Sequence, residues 1–266
     1  MSAKRPLPPW WRAPRRRFIR MLKRRARPAL NRYLARHSEV GDPVVFAPGT
    51  FPWEKLLEDH WQEIRREAEA VLALRDRVPA FHEVSPDQYR ISQEADWKTF
   101  WLHGFGERSE TCCRMCPVTD RVVSEVPGLE TAFFSMMAPG THVIAHRGVF
   151  KGIINCHLGL LVPDDAQGCR MRVGKEFFHW EEGRLRIFDD TRKHEVWNDT
   201  DQERVVLMIQ FRRPLRAPGR QVRDFFLQVL RRTPYLTRAM ANQRRFEAEL
   251  ASLVEAEGRA RGTEQG

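Results

Sequence analysis

Three of the nine histidines stand in or at the end of short β-rich runs, where they could share one metal ion. They are His146, His157 and His194, and the first and last lie 48 residues apart. A jelly roll can bring the mouths of two such strands together, and two imidazoles at a barrel mouth form the core of a non-haem iron site. Spacing alone also fits ordinary core or surface histidines, and by itself it favours that interpretation.

The segments around these histidines form a long and specific pattern. In chain order they read FSMMAPGTHVIAHRG (134–148), CHLGLLVP (156–163), GCRMRV (168–173), WEEGRLRIFDDTRKHEVWND (180–199) and ERVVLMIQFRRPL (203–215). Together they strongly resemble the aspartyl/asparaginyl β-hydroxylase family, in its bacterial-type members, over about residues 97–215. The resemblance implies a dioxygenase that uses iron(II), 2-oxoglutarate and O2 to hydroxylate an unactivated C–H.

The same resemblance implies a role for each matching residue. His146 and His194 match the two iron ligands, and Ser135 and Arg204 match the pair that holds the distal carboxylate of 2-oxoglutarate. His157 matches a residue that contacts the iron-side carboxylate. The chemistry suits these roles, because a guanidinium pairs bidentately with a carboxylate and a hydroxyl adds one donor.

At two positions this chain lacks a charged residue that related oxygenases carry. Many 2-oxoglutarate oxygenases place an acid two residues after the first histidine, where this chain and the resembled family have glycine, here Gly148. We therefore expect a two-histidine site completed by water, with Asp190 holding that water; the alternative is that Asp190 is a β-turn residue. The family's arginine at the iron-side carboxylate is replaced by Asn155. Lys151 or Arg172 could compensate, or the pocket is tuned differently.

The elements that must position these residues can be read from the pattern of the chain. Turn residues separate eight short β-rich runs: Ala132–Met137, Thr141–His146, Ile153–Val162, Cys169–Val173, Phe177–Trp180, Leu185–Phe188, His194–Trp197 and Val205–Phe211. Strands without intervening helices predict a mainly β fold with flanking helices, built on a double-stranded β-helix of the jelly-roll or cupin-like kind.

Four regions are expected along the chain. A basic amphipathic tail covers residues 1–40, and a helical and irregular part of the catalytic domain covers 41–130, with its clearest helix at 50–75. The jelly-roll core with the metal site covers 131–215, and a helical extension covers 216–266.

Basic charge is concentrated in the tail. Residues 1–36 hold 13 of the 45 Lys and Arg and no acid, which leaves 32 basic against 35 acidic residues elsewhere. The tail is therefore expected to seek an anionic membrane surface, the alternative being a solvated tail; no specific nucleic acid is expected. Because no apolar run resembles a secretory signal or a membrane span, the expected location is cytoplasmic, with peripheral attachment to the inner face of the membrane.

Five cysteines are too few and too irregular for a disulfide scaffold. Cys113 and Cys116 form a CxxC motif, for which a labile disulfide or two free thiols are each favoured over zinc.

Three functions follow. The first is hydroxylation of the β-carbon of an Asp or Asn residue in a peptide, or of a related amino acid. The second keeps the chemistry but acts at the 2-position of an acyl chain on lipid A or an ornithine lipid, which suits the basic tail. The lipid A enzymes tend to carry an acid where Gly148 stands, which favours the first. The third, a non-catalytic sensor, has Asn155 in its favour and the four retained site residues against it.

Overall fold

The computed structural model describes residues 25–91, 96–148 and 150–264, and within these ranges ten strands form two antiparallel sheets. The larger sheet has the order β2-β1-β3-β10-β5-β8 and the smaller has β4-β9-β6-β7. The strands are β1 Trp97–Gly104, β2 Glu107–Arg108, β3 Leu129–Met137, β4 His142–His146, β5 Ile153–Leu161, β6 Cys169–Val173, β7 Glu176–Phe178, β8 Leu185–Phe188, β9 His194–Asn198 and β10 Arg204–Arg212. The mainly β, double-stranded β-helix fold that the sequence predicts is confirmed.

Helices precede the strands in the chain, follow them, and in two cases lie between β2 and β3. They are α1 at residues 25–36, α2 Glu54–Asp59, α3 Trp61–Leu72, α4 Phe81–Val84, α5 Glu110–Met115, α6 Pro117–Ser124, α7 Gly219–Arg231 and α8 Pro234–Glu264, with 3-10 turns at Arg75–Arg77 and Pro86–Ile91. Residues 1–24 of the predicted basic tail lie outside the described residues. The described helices include none long and apolar enough to span a bilayer.

Alternation of side chains gives the larger sheet two different faces. Along β3, Phe134 and Met136 belong to a core shared with the helices, whereas Phe133 and Met137 belong to a second core shared with the smaller sheet. This follows from the two-residue period of a strand. The two sheets therefore enclose an interior of their own, and Ser135 lies on the strand face that lines it.

The helical side of the larger sheet is closed by an apolar stripe. Leu57 of α2 and Ile64, Ala68 and Val71 of α3 are fully or almost fully buried against it. The predicted helix at 50–75 is in fact two helices that meet at His60, whose ring Nδ1 bonds the carbonyl of Leu56 at 3.0 Å.

Residues 76–130, the later part of the predicted helical and irregular region 41–130, are more regular than that prediction suggests. It contains β1, which pairs with β3 along almost its whole length, and the two helices α5 and α6. The strand escapes detection because both of its faces are buried: Trp97 and Trp101 face the smaller sheet while Phe100 and Leu102 face the helices. A strand buried on both faces shows no alternation of apolar and polar residues.

The five cysteines are all buried and unpaired, so the CxxC motif forms no disulfide. Cys113 lies near His103 and Asp120, and the three offer ligand atoms within 4.8 Å of one another. The carboxylate of Asp120 already accepts hydrogen bonds from Arg108, with 2.7 Å to Nη2, which opposes a cation there.

Candidate active site

His146 and His194 are brought together by the pairing of β4 with β9. They are direct partners in that ladder, and their ring centroids lie 4.0 Å apart. The register of the pair shifts between Val143 and His146, so β4 contains a bulge there. A bulge changes the direction in which the following side chain points, and here it places His146 against His194.

Both imidazoles are held in the form that binds a metal through Nε2. Nδ1 of His146 bonds the carbonyl of Ile144 at 2.8 Å, and Nδ1 of His194 bonds the carbonyl of Arg192 at 3.0 Å. Because a carbonyl only accepts, Nδ1 must carry the hydrogen in each ring, which leaves the Nε2 lone pair free.

Electrostatics keep both rings neutral. Burial lowers the pKa of His146, and burial together with the neighbouring His146 lowers the pKa of His194 to about 4. A metal ion binds the unprotonated imidazole, so the pair is ready to receive a cation at neutral pH without first releasing protons.

Asp190 fills the space beside the first histidine where other oxygenases carry an acid. A Cβ added at Gly148 would overlap the carboxylate of Asp190, and the Gly148 N–H donates to the Asp190 carbonyl at 2.8 Å. Burial, followed by the adjacent Asp189, raises the pKa of Asp190 to about 7. Its Oδ1 is buried with no partner among the described residues. The turn before β9 thus delivers a carboxyl group to the place that residue 148 leaves open.

Arg204 presents a buried guanidinium that lacks an acidic partner among the described residues. Its Nε and Nη1 have no hydrogen-bond partner, while Nη2 contacts the sulfur of Met137. The guanidinium lies over the ring of Trp180, 4.6 Å from the centroid. Burial lowers the pKa of Arg204 to about 10, so it remains charged at neutral pH. A buried cation with free donors is the complement of an anionic ligand.

Ser135 lies one ladder step from Arg204 on the same interior face. It pairs with Val206 of β10, and Trp97 Nε1 donates to its Oγ at 2.9 Å. Since the indole uses an oxygen lone pair, the hydroxyl hydrogen of Ser135 stays available to a ligand.

His157 is fixed in the opposite tautomer to the paired histidines. Trp180 Nε1 donates to its Nδ1 at 3.2 Å, so the neutral ring carries its hydrogen on Nε2. That Nε2 is buried and has no partner among the described residues. Burial lowers the pKa of His157 strongly, and the cation Arg204 and His194 lower it further. His157 therefore lies between the two ends of the site and offers one donor.

Asn155 lies on the same face of β5 as His157, and its side chain is close enough to Asp190 to favour the charged form of that carboxyl group. The two cations expected to replace the family's arginine are engaged elsewhere. Lys151 bonds the carboxylates of Asp42 and Asp189, and Arg172 bonds Glu195. Position 155 thus offers a neutral amide, which lies near the carboxyl group of Asp190 at the histidine end of the site.

A continuous row of rings joins the two ends of the site. Phe188 lies 6.1 Å from His194 and 5.0 Å from His157, and Trp180 then connects His157 to Arg204. Sequence reasoning did not identify Phe188 or Trp180. The one available signal was their place inside the segment 180–199, immediately before turn residues.

The residues present fit a divalent cation together with a dicarboxylate. Two Nε2 lone pairs meet the preference of iron(II) for imidazole, and Asp190 adds a nearby acid. Arg204, Ser135 and His157 hold unused donors, which a small ligand carrying one carboxylate at each end could satisfy. Buried donors without partners are uncommon in folded proteins, and three facing one interior indicate a binding site.

Comparison with known proteins finds one matching family and several similar proteins. The family described as Aspartyl/Asparaginyl beta-hydroxylase matches residues 58–214. An ornithine lipid ester-linked acyl 2-hydroxylase from Rhizobium tropici is 39% identical over 221 residues, which cover 83% of this chain and 79% of that protein. The human aspartyl/asparaginyl beta-hydroxylase is 34% identical over 62% of this chain, which spans only 21% of the human protein. A prolyl-4-hydroxylase structure from Pseudomonas putida has a TM-score of 0.37, 20% identity, and coverage of 70% of this chain and 98% of that one.

Proposed function

Because the chain belongs to the aspartyl/asparaginyl β-hydroxylase family, we propose that it is a hydroxylase that depends on iron(II) and 2-oxoglutarate. The observation that supports this most strongly is the set of buried groups on Arg204, His157 and Asp190 that have no partner in the described part of the chain, placed around the His146–His194 pair. Membership in a family of hydroxylases argues against the alternative of a non-catalytic sensor.

In this proposal His146 and His194 hold the metal through Nε2, each oriented by a backbone carbonyl. Asp190 would hold a water ligand of the metal, and the nearby Asn155, which favours the charged form of Asp190, would help to orient that carboxyl group. Iron(II), when bound with 2-oxoglutarate and O2, supplies the oxidising power that places an oxygen atom on an unactivated C–H and leaves succinate and carbon dioxide.

Arg204 and Ser135 bind the distal carboxylate of 2-oxoglutarate, and the Nε2–H of His157 donates to the iron-side carboxylate. The cosubstrate would thereby satisfy donors for which the described residues offer no acceptor. Asn155 offers no positive charge to the iron-side carboxylate, so His157 is its main protein contact. Trp180 and Phe188 line the row between the two ends and exclude water from it.

For the substrate we propose a C–H on a carbon bonded to a carboxyl, amide or ester carbonyl carbon. This is the β-carbon of an aspartyl or asparaginyl residue, or of a related amino acid. It is equally the 2-position of an ester-linked acyl chain. The second substrate class is favoured by the Rhizobium relative, which matches this chain over most of both sequences, whereas the human relative matches over a fifth of its own length.

The experiment supplies both substrate classes to the purified protein with iron(II), 2-oxoglutarate and air. One is an aspartyl-containing peptide and the other an ornithine lipid dispersed in detergent. Mass spectrometry should show one of them gaining a single oxygen atom, only when iron(II) and 2-oxoglutarate are both present. Product that forms equally without 2-oxoglutarate would contradict the proposal.

A further inference from the structure

An exposed apolar stripe runs along helix α7. Phe225 is 65% exposed, Phe226 41% and Val229 47%, and with the half-buried Val222 they follow the i, i+3, i+4, i+7 spacing of one helix face. The adjoining face carries Gly219, Arg223 and Leu227, which are buried. The helix is already anchored by that buried face, and much of the α7 stripe, which consists of Phe225, Phe226 and Val229, is left exposed to solvent.

The surroundings of the stripe are strongly basic. Residues 25–36 and 216–232 contain nine arginines and one acid, Asp224, whose carboxylate pairs with Arg223 at 2.8 Å. Arg216, Arg220 and Arg232 are exposed. The two segments are neighbours, because Leu34 of α1 and Leu227 of α7 share one small core, and a Cβ added at Gly219 would overlap His37 just after α1.

The stripe is connected to the candidate active site. Phe226 stacks on Phe150, with ring centroids 5.3 Å apart and planes inclined by 16°. Phe150 is buried two residues after Gly148, the position that Asp190 fills next to the histidine pair. Arg27 of α1 donates to the carbonyl of the same Gly148. A surface formed by α1 and α7 therefore lies beside the segment that carries the first metal ligand.

From these observations we propose that the α7 stripe and its rim of arginines form a docking surface for an anionic lipid bilayer. The aromatic and aliphatic side chains would enter the interface between head groups and acyl chains, while the arginines would pair with phosphates. Charge complementarity favours a bilayer over a second copy of this chain, since two copies would bring two such basic rims together. Docking here would hold the histidine site at the membrane. The inference rests on the proposed function only where it gives that site a lipid-borne substrate.

The test measures sedimentation of the full-length protein with vesicles, without iron or 2-oxoglutarate. Vesicles contain phosphatidylcholine alone, or phosphatidylcholine and phosphatidylglycerol in equal amounts. The wild type should bind the anionic vesicles and not the neutral ones. Phe225→Ser with Val229→Ser should weaken binding by about tenfold or more, because partly exposed apolar side chains no longer enter the interface. Arg232→Glu should weaken it by at least about fivefold, since one arginine near an anionic surface contributes about fivefold.

Phe177→Ser is the matched control, because Phe177 is 61% exposed but lies on β7 of the smaller sheet. It should bind like the wild type.

Equal binding by the wild type and the Phe225→Ser, Val229→Ser variant would overturn the proposal and assign any binding to the basic tail. Failure of the wild type to bind anionic vesicles would also overturn it. So would a change from dimer to monomer in that variant on size-exclusion chromatography, which would make the stripe a contact between copies. A protein that binds vesicles but hydroxylates neither substrate in the separate assay with iron(II) and 2-oxoglutarate would instead count against the proposed function.

Discussion

Replacing Arg204 by methionine should raise the stability of the ligand-free protein while abolishing its response to 2-oxoglutarate. The guanidinium is buried, and two of its nitrogens have no partner among the described residues. Burial lowers the pKa of Arg204 from 12.5 to about 10, which corresponds to about 3 kcal/mol against the charged form. Because the lowered pKa lies far above 7, the whole of that cost is present at neutral pH and is relieved only as the pH rises above 10.

Contacts to Trp180 offset part of this cost. A desolvated guanidinium over an indole face is worth about 2 kcal/mol, and the ring of Trp180 lies 4.6 Å from the guanidinium carbon. Methionine would fill much of the same volume without a charge. The net gain is about 1 kcal/mol, which raises the melting temperature by about 2–4 °C in a protein of this size.

The assay is thermal unfolding with and without manganese(II) and 2-oxoglutarate. In the wild type the pair of ligands should raise the melting temperature, because they bind only the folded state. In Arg204→Met the shift should vanish, since removal of one partner of a buried charge pair costs about 2–5 kcal/mol of binding, or about 30- to 5,000-fold in Kd.

Arg213→Met is the matched control. Arg213 is equally buried, but its Nε donates to the Lys151 carbonyl at 2.8 Å and its Nη1 to the Gly41 carbonyl at 3.1 Å, and it faces the Asp189 carboxylate. Removing it leaves the two carbonyls without this donor and takes one of two cations from Asp189, so it should destabilise the fold by about 3–5 kcal/mol. If Arg204→Met lowered the melting temperature as much as Arg213→Met does, the guanidinium would be structural and the reasoning would be refuted.

Three further predictions concern the histidine end and the ring row. Gly148→Ala places a Cβ in the space of the Asp190 carboxylate, so turnover of 2-oxoglutarate should fall by about tenfold or more, and unchanged turnover would show that Asp190 is not needed there. Trp180→Phe removes the donor that fixes the tautomer of His157, so the KM for 2-oxoglutarate should rise about tenfold with a smaller change in kcat; an unchanged KM would contradict the assigned tautomer. Manganese(II) affinity, measured by titration, should fall about three- to tenfold as the pH drops through 7, because Asp190 with a pKa of about 7 becomes neutral. Asp190→Asn should remove most of that dependence between pH 8 and pH 6, since the pKa of His194 is about 4, and an equal dependence in both proteins would assign it to another group.

The sequence predicts the eight strands from residue 129 onward closely, because each alternates or ends at a turn residue. It misses β1, whose aromatic residues are buried on both faces and so resemble neither an alternating strand nor a helix. A single predicted helix at 50–75 is divided at His60, where a side-chain hydrogen bond competes with the backbone. Neither feature follows from the local pattern of the chain. Strand β1 depends on contacts with residues distant in the chain, and the break at His60 depends on a single side chain.

For the site, the resemblance selects His146, His194, Ser135, His157 and Arg204, and the structure brings them to one interior between the sheets. It cannot show that Asp190 fills the space at Gly148, because the two are 42 residues apart and meet only through the pairing of β4 with β9. Nor can it show that Lys151 is bound to Asp189, which removes it as a substitute for the arginine absent at Asn155.

The engagement of Lys151 has a consequence for the cosubstrate. With Asn155 neutral and Lys151 occupied, the cation among the described site residues that is free to pair with the cosubstrate is Arg204 at the distal end. Affinity for 2-oxoglutarate should therefore depend on the contacts at that end more than on those to the iron-side carboxylate.

The most direct test of the proposed chemistry is succinate formation from 2-oxoglutarate with iron(II) and ascorbate under air. The wild type is compared with His146→Ala and His194→Ala, with binding of iron(II) and 2-oxoglutarate titrated on the same samples. The proposed function predicts turnover in the wild type that is lost in both variants, because either change removes one of the two imidazole ligands. A wild type that binds neither iron(II) nor 2-oxoglutarate, or variants that turn over as fast as the wild type, would contradict it.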